Sequence, residues 1–214
     1  MLGALVIDVV VPARDHAATL PAVLKGLPAR DIRSVVVVDR ASRDRTAEVA
    51  RDAGALVLRE PSGGYGAACQ RAQAHFSALP RVPEIVVFVP GDRPRAAECL
   101  PALVAPIVER GLELVLGTDA IKHGIGERVV VGLIDTVYRQ RWSGVGPVRA
   151  LKFPALVALG MRDRGGGWDV EMLVRASKLG LTSDELDLPS EATGARTRLG
   201  PHALLHILRH STMR

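Results

Sequence analysis

The sequence predicts an α/β domain in which a mostly parallel central sheet is covered by helices on both faces. The first observation is a regular alternation, over residues 5–117, of short apolar runs with segments of helical spacing. The second is that runs such as Leu5–Val11 are continuously apolar, which indicates strands buried on both faces. The third is the length of 214 residues, which suits one such domain and leaves little room for a second.

Five strands and four helices are predicted in the first half of the chain. The strands are short runs rich in Val, Ile and Leu, such as SVVVVD, and polar or glycine-containing turns follow them. In the helices, apolar residues recur every three or four positions. The predicted strands are Leu5–Val11, Ser34–Asp39, Ala55–Arg59, Ile85–Val89 and Leu112–Gly117. The predicted helices are Thr19–Leu27, Arg45–Asp52, Tyr65–Leu79 and Ala96–Arg110.

The alternation breaks down after Gly117. We interpret Val148–Phe153 as a strand that runs antiparallel to its neighbours, and Arg162–Gly167 (RDRGGG) as a flexible turn. The remaining helices are predicted at Glu127–Arg141, Asp169–Leu179 and Pro201–His210. A loop is predicted at Asp119–Gly126, a last strand at Leu181–Leu188 and a polar loop at Ser190–Gly200.

The amino-acid composition favours some classes of binding partner and argues against others. Aromatic residues are only 3% of the chain, which argues against binding to nucleic acid through stacked bases. The net charge of +5 favours an anionic partner such as a phosphate, a diphosphate or an acidic membrane surface. A generally Arg-rich composition explains the charge equally well. Cys69 and Cys99 form no CxxC pair, so no zinc or redox motif is expected.

The apolar N-terminal run is interpreted as a core strand and not as a signal peptide. It has no basic residues before it, Asp8 interrupts it and Pro12 ends it. No apolar stretch approaches the roughly 20 residues that a membrane helix needs. The expected location is therefore the cytoplasm.

Polar side chains and glycines follow four of the predicted strands. Because ligands of open α/β sheets bind at the carboxyl ends of the strands, these segments are expected to form one rim. Its richness in Asp, Arg and Gly is the composition expected of a nucleoside diphosphate site. The four segments are Pro12–His16, Asp39–Asp44, Ser62–Gly66 and Pro90–Arg93.

An ordered set of segments resembles the successive motifs of family 2 glycosyltransferases, which have the GT-A fold. In the first half these are VVVPARDHAATLPAVLKGLP, VVVVDRASRDRTAEVA, REPSGGYGAACQRA and VVFVPGDRP. In the second half, GPVRALKFPALVALGMRDRGGGWDVEML and ATGARTRLG resemble the acceptor side. The resemblance is closest to the dolichyl-phosphate mannosyltransferase-like branch and related bacterial enzymes. It implies one GT-A domain, residues 1–214, with a nucleotide-binding half (1–117) and an acceptor half (118–214). It also implies inverting transfer of a sugar from a nucleoside-diphosphate sugar, UDP- or GDP-linked.

The resemblance assigns roles on the nucleotide side. Asp39 matches the residue that accepts a hydrogen bond from a ring N–H of uracil or guanine. A turn or helix-capping role for Asp39 remains an alternative. Gly64 and Gly66 match a glycine-rich stretch near the nucleotide, where a missing Cβ permits close backbone approach. The segment that passes under the base and ribose matches Pro12 and Ala13, and Arg14 after them is a further nucleotide-binding candidate.

The metal site departs from the family pattern. The family carries two Asp that flank one residue after strand four and hold Mg²⁺ or Mn²⁺, whereas this chain has Pro90 and Asp92. Since Mg²⁺ commonly binds one or two carboxylates plus phosphate oxygens, Asp92 alone is expected to support weak, nucleotide-dependent binding. Arg14, His16 and Arg40 replace aromatic or acidic residues of the family near the phosphate rim. These basic groups supply part of the metal's charge, or they mark a changed activity.

The acceptor side carries two candidate acids in the segment WDVE. An inverting transfer needs a base to take the proton of an acceptor hydroxyl, and Glu171 is the first candidate, Asp169 the second. The alternatives are a helix N-cap for Asp169 and a solvated helix carboxylate for Glu171. In the loop ATGARTRLG, Arg196 and Arg198 are predicted to grip a diphosphate or lipid phosphate when the loop closes.

The acceptor itself is not identified by the sequence. A polyprenyl phosphate is one candidate, because the apolar and basic segment HALLHILRH suits peripheral contact with an anionic inner membrane face. Packing of this segment on the domain core is the alternative, and a homodimer is left open.

Three rival functions are weighed. A catalytically weakened nucleotide-binding homologue with a regulatory role is favoured by Pro90. A sugar nucleotidyltransferase is disfavoured, because VVVPARDHAATLP lacks the glycine-rich loop after strand one. A dinucleotide-binding dehydrogenase is disfavoured, because GYGAAC follows the third strand instead of the first and lacks the last small residue.

Overall fold

A computed structural model describes residues 5–118 and 125–189. The predicted loop Ser190–Gly200 and the predicted helix Pro201–His210 lie outside the described residues, as does most of the predicted loop Asp119–Gly126. No helix of the described part is long and apolar enough to cross a membrane.

A seven-stranded, mostly parallel sheet forms the centre of the protein. The strands are β1 (Ile7–Ala13), β2 (Ser34–Asp39), β3 (Leu56–Arg59), β4 (Ile85–Phe88), β5 (Leu114–Thr118), β6 (Val148–Lys152) and β7 (Ser183–Asp187). Their order across the sheet is β3-β2-β1-β4-β6-β5-β7. Strands β1 to β4 are parallel, β6 is antiparallel to both its neighbours, and β7 is parallel to β5. The prediction of a mostly parallel sheet with an antiparallel strand at 148–153 is confirmed.

Helices cover both faces of this sheet. They are α1 (Leu20–Gly26), α2 (Thr46–Asp52), α3 (Tyr65–Ser77), α4 (Pro94–Glu98), α5 (Leu100–Arg110), α6 (Ile125–Tyr138), α7 (Phe153–Leu159) and α8 (Trp168–Leu179). Along β1, Val10 joins a buried cluster with α3 and α8, while Val9 and Val11 join a second cluster with α1 and α5 on the other face. This division explains why the strand sequences are continuously apolar and do not alternate.

Two helix predictions were wrong in detail. The single helix predicted at Ala96–Arg110 is broken at Cys99 into α4 and α5. Pro101 explains the break, because proline has no N–H to donate and its ring clashes with the carbonyl four residues earlier. Helix α7 was not predicted: the strand predicted at Val148–Phe153 overlaps it only at Phe153, and no element was predicted for residues 154–161. It begins with Pro154 in its first turn and ends at Gly160, whose φ of +57° suits glycine.

Candidate active site at the carboxyl edge of the sheet

Three of the predicted rim segments meet where β1, β2 and β4 end. In the parallel register Ala13 lies opposite Asp39. The loop after β4 folds onto β1, where the Gly91 N–H donates to the Pro12 carbonyl oxygen (3.3 Å). A Cβ at Gly91 would lie 2.7 Å from His16 Nδ1 and 3.1 Å from the Cβ of Ala13, so the loop can approach this closely only with glycine. The structure thus brings the ends of these three strands to one edge.

Asp39 is buried at this edge and helps to shape the turn after β2. Its Oδ1 accepts a hydrogen bond from the Ser42 N–H (3.1 Å). Ala41, inside the turn, has a φ of +56°, a conformation that non-glycine residues rarely adopt. The turn role considered from the sequence is therefore present, and it uses one of the two carboxylate oxygens. Base recognition by the other oxygen stays a prediction.

Two guanidinium groups converge on Gly63, in the loop after β3. Arg40 donates from Nε and Nη2 to the Gly63 carbonyl oxygen (3.1 and 2.9 Å), and its guanidinium lies 5.4 Å from the ring centroid of Tyr65. Arg14 Nη1 would lie 3.5 Å from a Cβ on Gly63. Burial lowers the pKa of Arg40, and the neighbouring positive charge of Arg14 lowers it further. This concentration of positive charge favours an anionic ligand.

Gly64 and Gly66 permit a close approach between the two halves of the chain. A Cβ at Gly64 would lie 2.0 Å from the Arg164 carbonyl oxygen, and one at Gly66 would lie 2.1 Å from that of Asp163. The Gly66 N–H donates to the Gly165 carbonyl oxygen (2.9 Å). The backbone that the glycines accommodate here therefore belongs to the segment 162–167. Contact of Gly64 and Gly66 with a nucleotide stays a prediction.

The segment Arg162–Gly167, predicted as a flexible turn, is instead held by many hydrogen bonds. Gln70 Nε2 donates to the carbonyl oxygen of Asp163 (3.1 Å), and Asp163 Oδ1 accepts from the N–H groups of Gly165 (2.7 Å) and Gly167 (3.1 Å). The flexible turn was predicted because three consecutive glycines allow the backbone many conformations. Asp163 belongs to the segment itself, but Gln70 lies on α3 and Glu171 on α8, so the local sequence could not reveal the complete set of hydrogen bonds.

Glu171 accepts hydrogen bonds from this segment, and its geometry differs from the predicted acceptor-facing role. Its side chain is 0% exposed. Its carboxylate accepts from the N–H groups of Arg162 (2.9 and 3.1 Å) and Asp163 (2.7 Å), and it pairs with Arg175 Nε (2.8 Å). A carboxylate enclosed in this way offers no exposed oxygen to an acceptor.

Asp169, two residues earlier in the first turn of α8, is also buried, but part of its side chain is exposed. Its side chain is 13% exposed, and Oδ1 lies 2.7 Å from Arg149 Nη1. Burial raises the pKa of Asp169, while the Arg149 cation opposes that rise. Asp169 thus keeps more of its side chain exposed than Glu171 does, and the catalytic role of either acid stays a prediction.

Arg149 is a site residue that sequence reasoning missed. It lies on β6, its side chain is 1% exposed, and Nη2 donates to the Gly146 carbonyl oxygen. The available signal was a lone arginine inside the apolar strand VRALK. An arginine buried in this way needs an anionic partner, and the sequence does not say which acid supplies it.

The other predicted site residues are Asp92, Arg196 and Arg198. Asp92 lies in the loop after β4 and is half-buried. Across residues 5–118 and 125–189 there is no group of three His, Cys, Asp or Glu side chains that could hold a metal ion. Arg196 and Arg198 lie outside the described residues.

The fold is of the GT-A type, a mostly parallel sheet whose carboxyl edge carries acids and cations beside an acid-bearing helix. The model of the family described as Glycosyl transferase family 2 matches residues 8–140, and the chain belongs to this family. It is a glycosyltransferase.

Relatives and solved structures agree with this assignment. An uncharacterized glycosyltransferase of Mycobacterium tuberculosis is 34% identical over 202 residues, which cover 90% of this chain and 89% of the relative. Glycosyltransferase AglJ of Haloferax volcanii is 23% identical over 182 residues, which cover 81% of this chain and 59% of the relative. The fold is similar to that of glucosyl-3-phosphoglycerate synthase from M. tuberculosis in complex with Mn²⁺, UDP and glucosyl-3-phosphoglycerate. That similarity has a TM-score of 0.78 at 22% identity, and it covers 98% of this chain and 80% of the other.

Proposed function

We propose that this glycosyltransferase moves a sugar, with inversion, from a UDP- or GDP-linked donor to an acceptor. The observation that carries the proposal is the meeting of Asp39, the Pro12–Arg14 segment and the loop of Asp92 at one edge of the sheet. A nucleoside diphosphate would lie across this edge. Its base would reach Asp39, and its phosphates would lie near the cations and Asp92.

Asp169 is the residue we propose to act on the acceptor. The acceptor hydroxyl oxygen forms a bond to the anomeric carbon as the bond from that carbon to the diphosphate oxygen breaks. The electron pair of the broken bond leaves on the diphosphate, and the acceptor proton passes to the Asp169 carboxylate. A phosphate acceptor is already ionised and would need positioning more than deprotonation.

A divalent ion fits the site only together with the donor. Asp92 supplies one carboxylate, Pro90 supplies no ligand, and the described residues contain no three-ligand group. Mg²⁺ or Mn²⁺ would therefore take its other oxygen ligands from the diphosphate and water, and would offset the charge of the leaving group. The known presence of Mn²⁺ and UDP in glucosyl-3-phosphoglycerate synthase supports this pairing.

Replacement of Asp39 tests the donor site. A ligand that binds only the native state stabilises it by about 2.7 kcal/mol at a hundredfold excess over its Kd. We therefore expect UDP or GDP to raise the Tm, and Asp39→Ala to abolish the rise. Asp52→Ala, at an exposed position on α2, is the control and should keep the rise. No Tm shift with any nucleoside diphosphate at millimolar concentration would contradict the proposal.

Restoration of the second acid tests the metal. Pro90→Asp should tighten Mn²⁺ binding in the presence of UDP, because a second carboxylate then joins Asp92. Calorimetry with Mn²⁺ alone and with Mn²⁺ plus UDP gives the comparison. Tight Mn²⁺ binding by the natural sequence without nucleotide, or none with nucleotide, contradicts the assignment of Asp92.

The acceptor is proposed only by class. A phosphorylated acceptor suits the basic rim, and the panel to test contains 3-phosphoglycerate and a polyprenyl phosphate. Closure of Arg196 and Arg198 over the phosphates, contact with a membrane face and homodimer formation are further parts of this proposal. Co-sedimentation with anionic vesicles, before and after truncation beyond Gly200, tests the membrane contact.

A catalytically weakened nucleotide-binding homologue is the second candidate, and Pro90 is the observation that favours it. It predicts nucleotide binding without release of nucleoside diphosphate from any donor. A donor-hydrolysis assay with Mn²⁺ separates the two candidates.

A further inference from the structure

The Arg149–Asp169 pair is asymmetric in a way that a simple structural ion pair does not require. The arginine side chain is 1% exposed, whereas the aspartate keeps 13% of its surface accessible. The cation is therefore enclosed by protein, and the anion lies at the boundary of the interior with part of its surface outward.

The Arg149 side chain is held in place by contacts other than its ion pair with Asp169. Strand β6 is central, and at Arg149 its neighbours in register are Phe88 on β4 and Leu116 on β5. Nη2 donates to the Gly146 carbonyl oxygen, and the Val145 carbonyl oxygen lies at 3.5 Å. With Nη2 held by backbone carbonyls, Nη1 lies 2.7 Å from Asp169 Oδ1 and 3.9 Å from Met172 Sδ, so Asp169 is the anion that this guanidinium meets.

The surroundings of Asp169 make this cation necessary. Taking a carboxylate out of water disfavours its charged form, and an adjacent cation restores it. The titratable and charged groups that act on Asp169 or respond to its charge come from four elements. They are Arg149 on β6, Arg40 after β2, Tyr65 and Cys69 on α3, and Asp163 before α8.

We propose that Arg149 is a positioning residue, which holds the Asp169 carboxylate in one orientation and keeps it ionised to accept the acceptor's proton. This inference rests on the proposed function of Asp169. Arg149 itself does not touch the reacting atoms, because its guanidinium is covered. It acts only through the aspartate.

The same helix provides a matched control. Arg175 pairs with Glu171 (2.8 Å), and its side chain is 15% exposed, so this is also a largely buried Arg–acid pair on α8. Loss of Arg175 should disturb folding in the same manner as loss of Arg149, while leaving the partner of Asp169 in place.

The test compares Arg149→Met, Arg149→Lys and Arg175→Met in the full chain. Carboxyl carbon NMR, with the Asp169 signal assigned by Asp169→Asn, gives the titration midpoint of that carboxylate. Hydrolysis of the donor in Mn²⁺ is followed as a function of pH. It gives the acid limb of turnover, which is the pH range over which turnover falls as the pH is lowered. Calorimetry with UDP reports donor-site integrity.

In Arg149→Met we expect the Asp169 midpoint and the acid limb to move up together by about one to three pH units, with UDP affinity nearly unchanged. Arg149→Lys should restore most of both shifts. Arg175→Met should lower Tm and move neither. If Arg149→Met does not fold, a smaller upward shift in Arg149→Lys carries the test.

An unmoved midpoint, or a moved midpoint with an unmoved acid limb, overturns the positioning role. Equal shifts in Arg175→Met overturn it as well, because they would reflect general loosening of α8. Failure of the proposed function looks different, since the natural sequence would then release no nucleoside diphosphate from any donor.

Discussion

Asp169→Asn should lower donor hydrolysis by a factor of about 10² to 10⁴, the usual contribution of a positioned general base. Water is the acceptor in this assay, so a proton must be removed whatever the natural acceptor is. The amide cannot take that proton, but it nearly keeps the shape of the carboxylate. UDP affinity should therefore stay close to that of the natural sequence. Unchanged turnover in this variant would remove Asp169 from the mechanism.

The pH dependence of the same reaction has a defined direction. Because burial raises the pKa of Asp169, its protonated, inactive form persists to higher pH than in an ordinary aspartate, whose pKa is about 3.9. Turnover should rise with pH through that raised value. Asp184→Asn, on an exposed pair with Arg110 outside the site, is the control and should leave the acid limb in place.

Glu171→Gln should act on stability instead of turnover. The change leaves Arg175 largely buried without its anion and weakens the hydrogen bonds that hold the segment 162–167. Breaking a buried ion pair by removing one partner costs about 3–5 kcal/mol. For a domain of this size, a loss of that magnitude lowers Tm by roughly 10 °C.

Thermal unfolding of two matched variants checks this expectation. Glu48→Gln removes the anion of an Arg–Glu pair that is exposed on α2, and it should leave Tm nearly unchanged. If Glu171→Gln unfolds at the temperature of the natural sequence but loses donor hydrolysis, then Glu171 and not Asp169 is the reacting acid.

Much of the fold could be predicted because the relevant information is local. Continuous apolar runs such as SVVVVD specify strands buried on both faces, and turn residues mark their ends. Pro101 is also a local signal, because proline favours a break in a helix. A single helix was predicted there because the helical spacing of apolar residues continues across Pro101. Strand order was not accessible in this way, since pairing of β4 with β6 depends on contacts between residues about 60 positions apart.

In the candidate site, too, the features that depend on local sequence could be predicted and those that depend on tertiary packing could not. Asp39 ends β2 and Asp92 lies in the short loop after β4, so their meeting at one edge could be inferred from the parallel sheet. The choice between Asp169 and Glu171 could not, because the two acids are two residues apart on one helix and their exposure depends on what packs against it. Glu171 faces the segment 162–167, while Asp169 meets Arg149 on a distant strand.

The most direct test of inverting sugar transfer is the anomeric configuration of the first product. Proton NMR during hydrolysis of α-linked UDP-glucose, UDP-N-acetylglucosamine and GDP-mannose, in Mn²⁺, follows the anomeric proton before mutarotation. We expect one of these donors to give nucleoside diphosphate together with the β-sugar as the first species. Release of the α-sugar first would contradict inversion, and intact donors throughout would contradict sugar transfer by this site.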